Sequence, residues 1–354
     1  MKHAALLSLT LLLSACGASH SDSEGVTIFP TQTVVTVDTA TPTAEAVAIR
    51  DDIIVGVDSL ANLEQQFPKA QINEKYGSAV IIPGLIDPHV HMTLGAMMYG
   101  LDWVPPWDMQ HPNGVVEGLG NKTELLQSIK SFSSQDSGDG PLILYGYHNL
   151  VQGDIIKTDL DEISDARPII IWHYSGHDFY MNSKALELFE ITADLHDLYV
   201  GVAIDEAGNL TGRIYEDAVA PLLPKIAPYL LNPKHIEKGF TGFETILARG
   251  GVTTIAELGY GIFGREFENQ VLAAHYSDED PYDLYLVPEH RAFQREFGDE
   301  SAAKMVELST TDPRILPQVK LFADAAFYSQ TMKLDAPGYL SGQSKGTDLS
   351  LIHI

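Results

Sequence analysis

The chain reads as an α/β protein, and three observations predict it. Strand-like and helix-like segments alternate after residue 120. Several strand candidates are continuous apolar runs, such as "RPIIIWHY" (167–174), the pattern of strands buried on both faces of a parallel sheet. Hydrophobic residues make up 45% of the 354 positions and charged ones 20%, enough for a packed core in one large or two ordinary domains.

The elements follow in chain order. "MKHAALLSLTLLLSACGASHSDSEG" starts basic, runs apolar from Ala4 to Leu13, then turns to small residues. The apolar run is too short to span a bilayer and reads as an export signal, residues 1–16. "LSAC" resembles the lipobox of bacterial lipoproteins, which makes Cys16 the lipidation site. The alternative is a secreted protein with a chance cysteine. Cys16 is the single cysteine, so an internal disulfide is excluded. Residues 17–25 suit a flexible tether. Gly17 after the cysteine points to the outer membrane, facing the periplasm. The net charge of −26, from 48 acidic against 22 basic residues, argues against nucleic acid or anionic lipid as a main partner. The membrane contact expected is the lipid anchor only.

Residues 26–82 read as β structure. "VTIFPTQTVVTVD" and "AEAVAIRDDIIVGVD" are rich in β-branched residues, and Asp51–Asp52 form a hairpin turn. A short helix, "SLANLEQQF", follows. "SAVIIPGLID" is an apolar strand with a turn at Pro83–Gly84, expected to be buried on both faces. Further strands are expected at 141–147, 167–174, 252–258, 282–287 and 318–326. Helices are expected at "NKTELLQSIKSF", "NSKALELF", "PKHIEKGFTGFETILARG" and "ESAAKMVELS". Residues 190–230 read as an inserted subdomain.

The chemistry concentrates in "PGLIDPHVHM", residues 83–92. Residues i and i+2 of a strand share a face, so His89 and His91 project together, about 7 Å apart along the strand. At the strand's carboxyl end both reach one ion, and neutral imidazole suits zinc and similar borderline metals. Asp87, on the same face, could orient one of them.

"AVIIPGLIDPHVHM" resembles the first-strand signature of the amidohydrolase superfamily. "RPIIIWHYSGHDFYMNSKALELF", "LTGRIYEDA", "ARGGVTTIAELG" and "VKLFADAA" narrow the resemblance to its amidohydrolase 3, YtcJ-like branch, over residues 26 to about 340. The resemblance implies a TIM-like (β/α) barrel over 83–345, preceded by part of a small β-sandwich over 26–82. The site would lie at the carboxyl ends of the barrel strands. It implies a divalent metal, one or two zinc ions, held by His89 and His91. Lys320 matches a lysine that relatives carboxylate to bridge metals, which makes it a candidate catalytic and metal-binding residue; a second reading leaves it ion-paired at the barrel rim. Asp324–Ala325 departs from the family's Asp-Gly. His177 and Asn182 match positions that line a substrate pocket; a satisfied histidine and a helix N-cap are their structural alternatives. Glu216 is a site residue or a surface acid, His173 reads as structural, and His290 is a further ligand candidate.

The activity implied is hydrolysis of carbon–nitrogen bonds other than peptide bonds in a small-molecule amide. Isomerisation or ester hydrolysis on the same barrel, and a lipid-anchored binding protein without catalysis, are the alternatives. Relatives also carry two later histidines and a last-strand aspartate. Past Lys320 the chain offers His353, within "GTDLSLIHI" (346–354), which does not resemble family sequence and reads as non-native. The expectation is a C-terminally truncated barrel lacking about three strands, and an inactive fragment.

Overall fold

The computed structural model describes residues 24–339, apart from 136, 137, 139, 323, 325, 326, 328, 329, 336 and 337. The export segment with Cys16, Ala325 and the tail with His353 lie outside the described residues. The chain forms two compact units, one ending at Gly84 and one starting at Leu85.

The first unit is one five-stranded sheet. Strands β1 (Thr27–Val35), β2 (Thr43–Arg50) and β3 (Ile53–Asp58) are antiparallel neighbours. Asp51 and Asp52 turn between β2 and β3 with φ of 48° and 65°, the left-handed pair that a tight hairpin requires. Helix α1 (Leu60–Gln66), capped by the Ser59 side chain, packs Leu63 on Ile28, Ala46 and Ala48. Strands β4 (Gln71–Ile72) and β5 (Val80–Ile81) pair parallel with β1. A sandwich needs two sheets; the described residues of this unit form one.

The second unit holds two larger sheets. Strand β6 (Leu85–Val90) carries the histidine motif into helix α2 (Met92–Gly100). An insertion over residues 101–231 follows. In chain order it comprises β7 (Asp102–Trp103), the hairpin β8 (Met109–His111) and β9 (Gly114–Val116), α3 (Lys122–Gln135), β10 (Leu142–Tyr147), α4 (Asn149–Gln152), α5 (Lys157–Asp161) and β11 (Ile169–His173). It continues through β12 (Asp178–Met181), α6 (Ser183–Leu188), β13 (Val202–Ile204), β14 (Leu210–Tyr215) and α7 (Val219–Leu230). Six of its eight described strands form one sheet in the order β13-β14-β12-β11-β10-β7. Alternate residues of β10 and β11 face two different cores, Leu142, Leu144, Ile169 and Ile171 one, Ile143, Tyr145, Ile170 and Trp172 the other. That two-sided burial explains their unbroken apolar runs.

After α8 (Pro233–Gly250) the chain returns to β6. Strand β15 (Val252–Tyr260) pairs parallel with β6 on one side and with β16 (Asp283–Pro288) on the other. Helix α9 (Arg265–His275) joins β15 to β16, and α10 (His290–Phe297) and α11 (Ser301–Thr311) follow β16. Ile315 then bridges Leu286 and Lys320 bridges Glu289, both parallel, so a fourth segment lies beside β16. This repeated strand–helix–parallel strand order is that of a (β/α) barrel wall.

Three expectations need correction. Residues 141–147 and 167–174 form strands, but not beside β6. β10 and β11 are parallel to each other, but four residues lead β11 into antiparallel β12, so both belong to the separate six-stranded sheet rather than flanking β6. The insertion is therefore far larger than 190–230. Second, β6 is not buried: Ile86 is 70% exposed, because among the described residues β6 has a neighbour on one side only. Third, the described residues of 318–326 form no regular strand; their pairing beside β16 is the single bridge between Lys320 and Glu289.

Packing of α2 on α8 fixes the chain just past the histidines. A Cβ at Gly239 would lie 1.8 Å from the Ala96 carbonyl oxygen, so only glycine permits this approach. His235 Nε2 and Lys238 Nζ donate to the carbonyls of Met97 and Gly100, satisfying the last turn of α2.

Candidate metal centre

His89 and His91 converge. Their ring centroids lie 5.3 Å apart with planes at 86°. A tetrahedral ion about 2.1 Å from each imidazole nitrogen places two ring centroids about 5 Å apart, so the separation suits joint coordination. His91 ends the strand and opens α2 as its N-cap residue.

Glu257 organises the pair, and the sequence offers only a faint signal of it, one acid in the apolar run "VTTIAELG". It sits on β15 opposite Val90. Its Oε1 accepts from His91 Nδ1 at 2.9 Å and from the Gly259 amide at 2.7 Å; its Oε2 accepts from the Met92 amide at 2.5 Å. A carboxylate can only accept, so Nδ1 carries the proton and Nε2 presents its lone pair. The charge also faces the N-terminus of α2, where anions are favoured. A Cβ at Gly259 would lie 3.0 Å from both His91 Nδ1 and Glu257 Oε1, which leaves no room for a side chain there. Asp87, the orienting candidate on β6, instead accepts from the His89 amide at 3.1 Å. Replacing Glu257 by alanine is expected to weaken zinc binding about 10- to 100-fold, read by competition with a chromophoric chelator.

Lys320 reaches the same place. Its Nζ lies 3.4 Å from His89 Nε2. Burial, then the Lys320 charge, hold His89 below the usual histidine pKa, so its ring is neutral and fit to be a ligand. Lys320 as an ammonium donates no lone pair. Among the described residues no group of three or more His, Cys, Asp or Glu is placed to hold an ion. The donors present therefore fit two positions of a coordination sphere, and a third with a carboxylated Lys320.

His177 is half-buried, with Nδ1 3.2 Å from Glu216 Oε2. Burial pulls its pKa down, but the hydrogen bond and charge of Glu216 outweigh it and the net shift is upward. Glu216 has φ of 46°, a strained backbone for a non-glycine residue, and Thr331 donates to its other oxygen. Glu216 is thus tied into the interior rather than being a free surface acid. Asn182 is committed to the backbone around it. It is fully buried; its Oδ1 accepts from the amides of Ile169 and Ala185, and its Nδ2 donates to the carbonyls of Ser164 and Arg167. With both ends of the amide used, it is the N-cap of α6 and has nothing left for a substrate. His173 is buried beside His148, its pKa pushed down to about 3 by burial first and then by neighbouring charge. His290 begins α10 with an exposed side chain, and its amide donates to the Lys320 carbonyl.

The chain resembles known proteins in sequence and in fold. The chain is 24% identical over 306 residues to putative amidohydrolase YtcJ of Bacillus subtilis, covering 83% of the chain and 53% of that protein. It is 27% identical over 231 residues to LONG AFTER FAR-RED 3 of Arabidopsis thaliana, covering 64% and 37%. It thus spans about half the length, or less, of these relatives. The fold matches an uncharacterized metal-dependent hydrolase of Pyrococcus horikoshii with a TM-score of 0.55 at 16% identity, over 91% of this chain and 59% of that one. A homologue from Pyrococcus furiosus gives 0.53, also at 16% identity, over 86% and 58%. The model of the amidohydrolase family matches residues 78–347, which include the histidine strand, β15 with Glu257 and Lys320. The chain belongs to the amidohydrolase family.

Proposed function

We propose that the protein is a metal-dependent hydrolase of small amide-type molecules, cleaving carbon–nitrogen bonds other than peptide bonds. One observation carries this reading: His89 and His91 turn together at the carboxyl end of β6, with Glu257 behind His91 and Lys320 in reach of His89. Family membership and the metal-dependent hydrolases that share the fold support it.

Imidazole nitrogens favour zinc among available divalent ions. When bound, the ion supplies Lewis acidity, which lowers the pKa of water and polarises a carbonyl. The chain's own residues hold the geometry. Glu257 fixes the His91 tautomer, and the low pKa of His89 keeps that ring neutral. Lys320 could serve as a ligand once its ammonium has lost one proton and the free amine has added carbon dioxide at Nζ, which would form an N–C bond and release a second proton. The carbamate would then offer anionic oxygen donors beside His89. With two histidines as the described imidazole donors at the site, the 354 residues are expected to be inactive by themselves. The sequence cues at Cys16 support placement on a lipid anchor facing the periplasm.

The test is a panel of small amides assayed with the product of the full reading frame. Turnover is expected, abolished by a chelator and by His89→Ala, and restored by zinc in the unsubstituted protein. Turnover indifferent to both treatments would overturn the metal mechanism. Binding of small molecules without turnover would favour a non-catalytic lipoprotein.

A further inference from the structure

We propose that Arg291, stacked on Phe322 beside Lys320, sets the specificity of this site by taking the carboxylate of an anionic small-molecule substrate. The proposal deepens the hydrolase reading and rests on it for the location of the reacting bond.

Arg291 lies in the first turn of α10, directly past the carboxyl end of β16. Its Nε donates to Glu289 Oε1 at 2.9 Å, and Glu289 is 1% exposed, with its Oε2 capping α10 at the Ala292 amide. The guanidinium lies over Phe322, Cζ 3.9 Å from the ring centroid. These two contacts fix the head group without using its terminal nitrogens, and a fixed fork of donors is what pairs bidentately with a carboxylate.

The same ring carries a second cation. Lys320 Nζ is 5.0 Å from the Phe322 centroid and 3.4 Å from His89 Nε2. One aromatic ring therefore links the arginine to the histidine pair, within the span of a small molecule. Glu289 pairs with Arg291 through Nε, and in the metal-free chain Lys320 is the second cation. Glu216 is committed to His177 and Thr331, and Asp324 accepts from the Lys333 amide. In a chain of net charge −26, two cations on one ring at the carboxyl rim of the sheet stand out, and such a spot draws an anion in. A neutral amide would leave the terminal guanidinium nitrogens without an ionic partner. A carboxylate would engage both.

Isothermal titration of the 354-residue chain with benzoate and with benzamide tests this. The two probes share shape and differ in charge. Benzoate is expected to bind at least about tenfold more tightly than benzamide, and Arg291→Gln to weaken benzoate about 10- to 100-fold. Arg291→Lys keeps the charge and the Glu289 partner but not the fork, so it should recover only part of the affinity. His89→Ala should retain benzoate binding, which separates this proposal from the metal reading; zinc titration of Arg291→Gln should match the unsubstituted chain. Equal affinity for the two probes, or benzoate binding unchanged in Arg291→Gln, would overturn the proposal. So would benzoate binding that vanishes in His89→Ala, because the ion rather than the arginine would then hold the carboxylate.

Discussion

Alanine at His91 is expected to lower the affinity for zinc by about 100-fold or more, and alanine at His89 to do the same. Structural zinc sites with four ligands bind with about 10–16 kcal/mol at neutral pH, so each ligand accounts for about 2.5–4 kcal/mol. The two variants should differ in a second respect. His91→Ala also strips Glu257 of its Nδ1–H partner, leaving a largely buried carboxylate held by the amides of Met92 and Gly259 alone. That change should cost stability, about 1–3 kcal/mol in urea unfolding. The exposed His89 side chain has, among the described residues, only the Lys320 ammonium as a hydrogen-bond partner, so His89→Ala should leave stability nearly unchanged. A chelator competition run beside unfolding curves reads both effects. Equal zinc affinity in both variants and the parent would remove the pair from the metal site.

The second large effect is acid sensitivity of the insertion. His173 is fully buried and neutral, with its pKa near 3, whereas the unfolded chain takes up that proton near 6.5. Between those two values the unfolded state binds more protons, so stability falls as pH drops. Its contribution is intact above pH 6.5 and declines towards pH 3, by on the order of 4 kcal/mol. His148, also lowered by burial, acts in the same direction. The three tryptophans, Trp103, Trp107 and Trp172, all lie in the insertion, so their fluorescence follows its unfolding. His173→Phe keeps an aromatic ring against Tyr147 and His148 but cannot be protonated. It loses the ring nitrogen that accepts from the Ser175 amide, so it should be about 1 kcal/mol less stable at pH 7.5, yet its stability should fall less steeply below pH 6. An acid limb identical to that of the parent would contradict the assignment.

What the sequence makes legible is what is local. Helix α8 carries Asn232 as cap, Pro233 in its first turn and Gly251 in the left-handed region at its end, all neighbours in sequence. The hairpin at Asp51–Asp52 and the cap at Ser59 are readable for the same reason. His89 and His91 are readable because strand periodicity puts residues two apart on one face. Pairing between distant segments is not readable. β10 and β11 have the same apolar signature as β16, because both sheets bury such strands on two faces, so nothing local says which sheet each joins. Glu257 escapes attention because its partners His91 and Met92 are about 165 residues away in the chain. Arg291 is as hard to single out, since Phe322 reaches it only through the segment laid beside β16. Asn182 shows the reverse error. Its motif position points to a pocket, while four hydrogen bonds in a fully buried setting make it a cap.

The central claim is that two imidazoles at the end of β6 share one ion. Crystals of the chain soaked in zinc, with diffraction data collected on both sides of the zinc absorption edge, test it most directly. The account predicts an anomalous peak about 2.1 Å from both His89 Nε2 and His91 Nε2, absent from the His89→Ala, His91→Ala double variant. Zinc located elsewhere in the chain, or a peak that survives the double substitution, would contradict it.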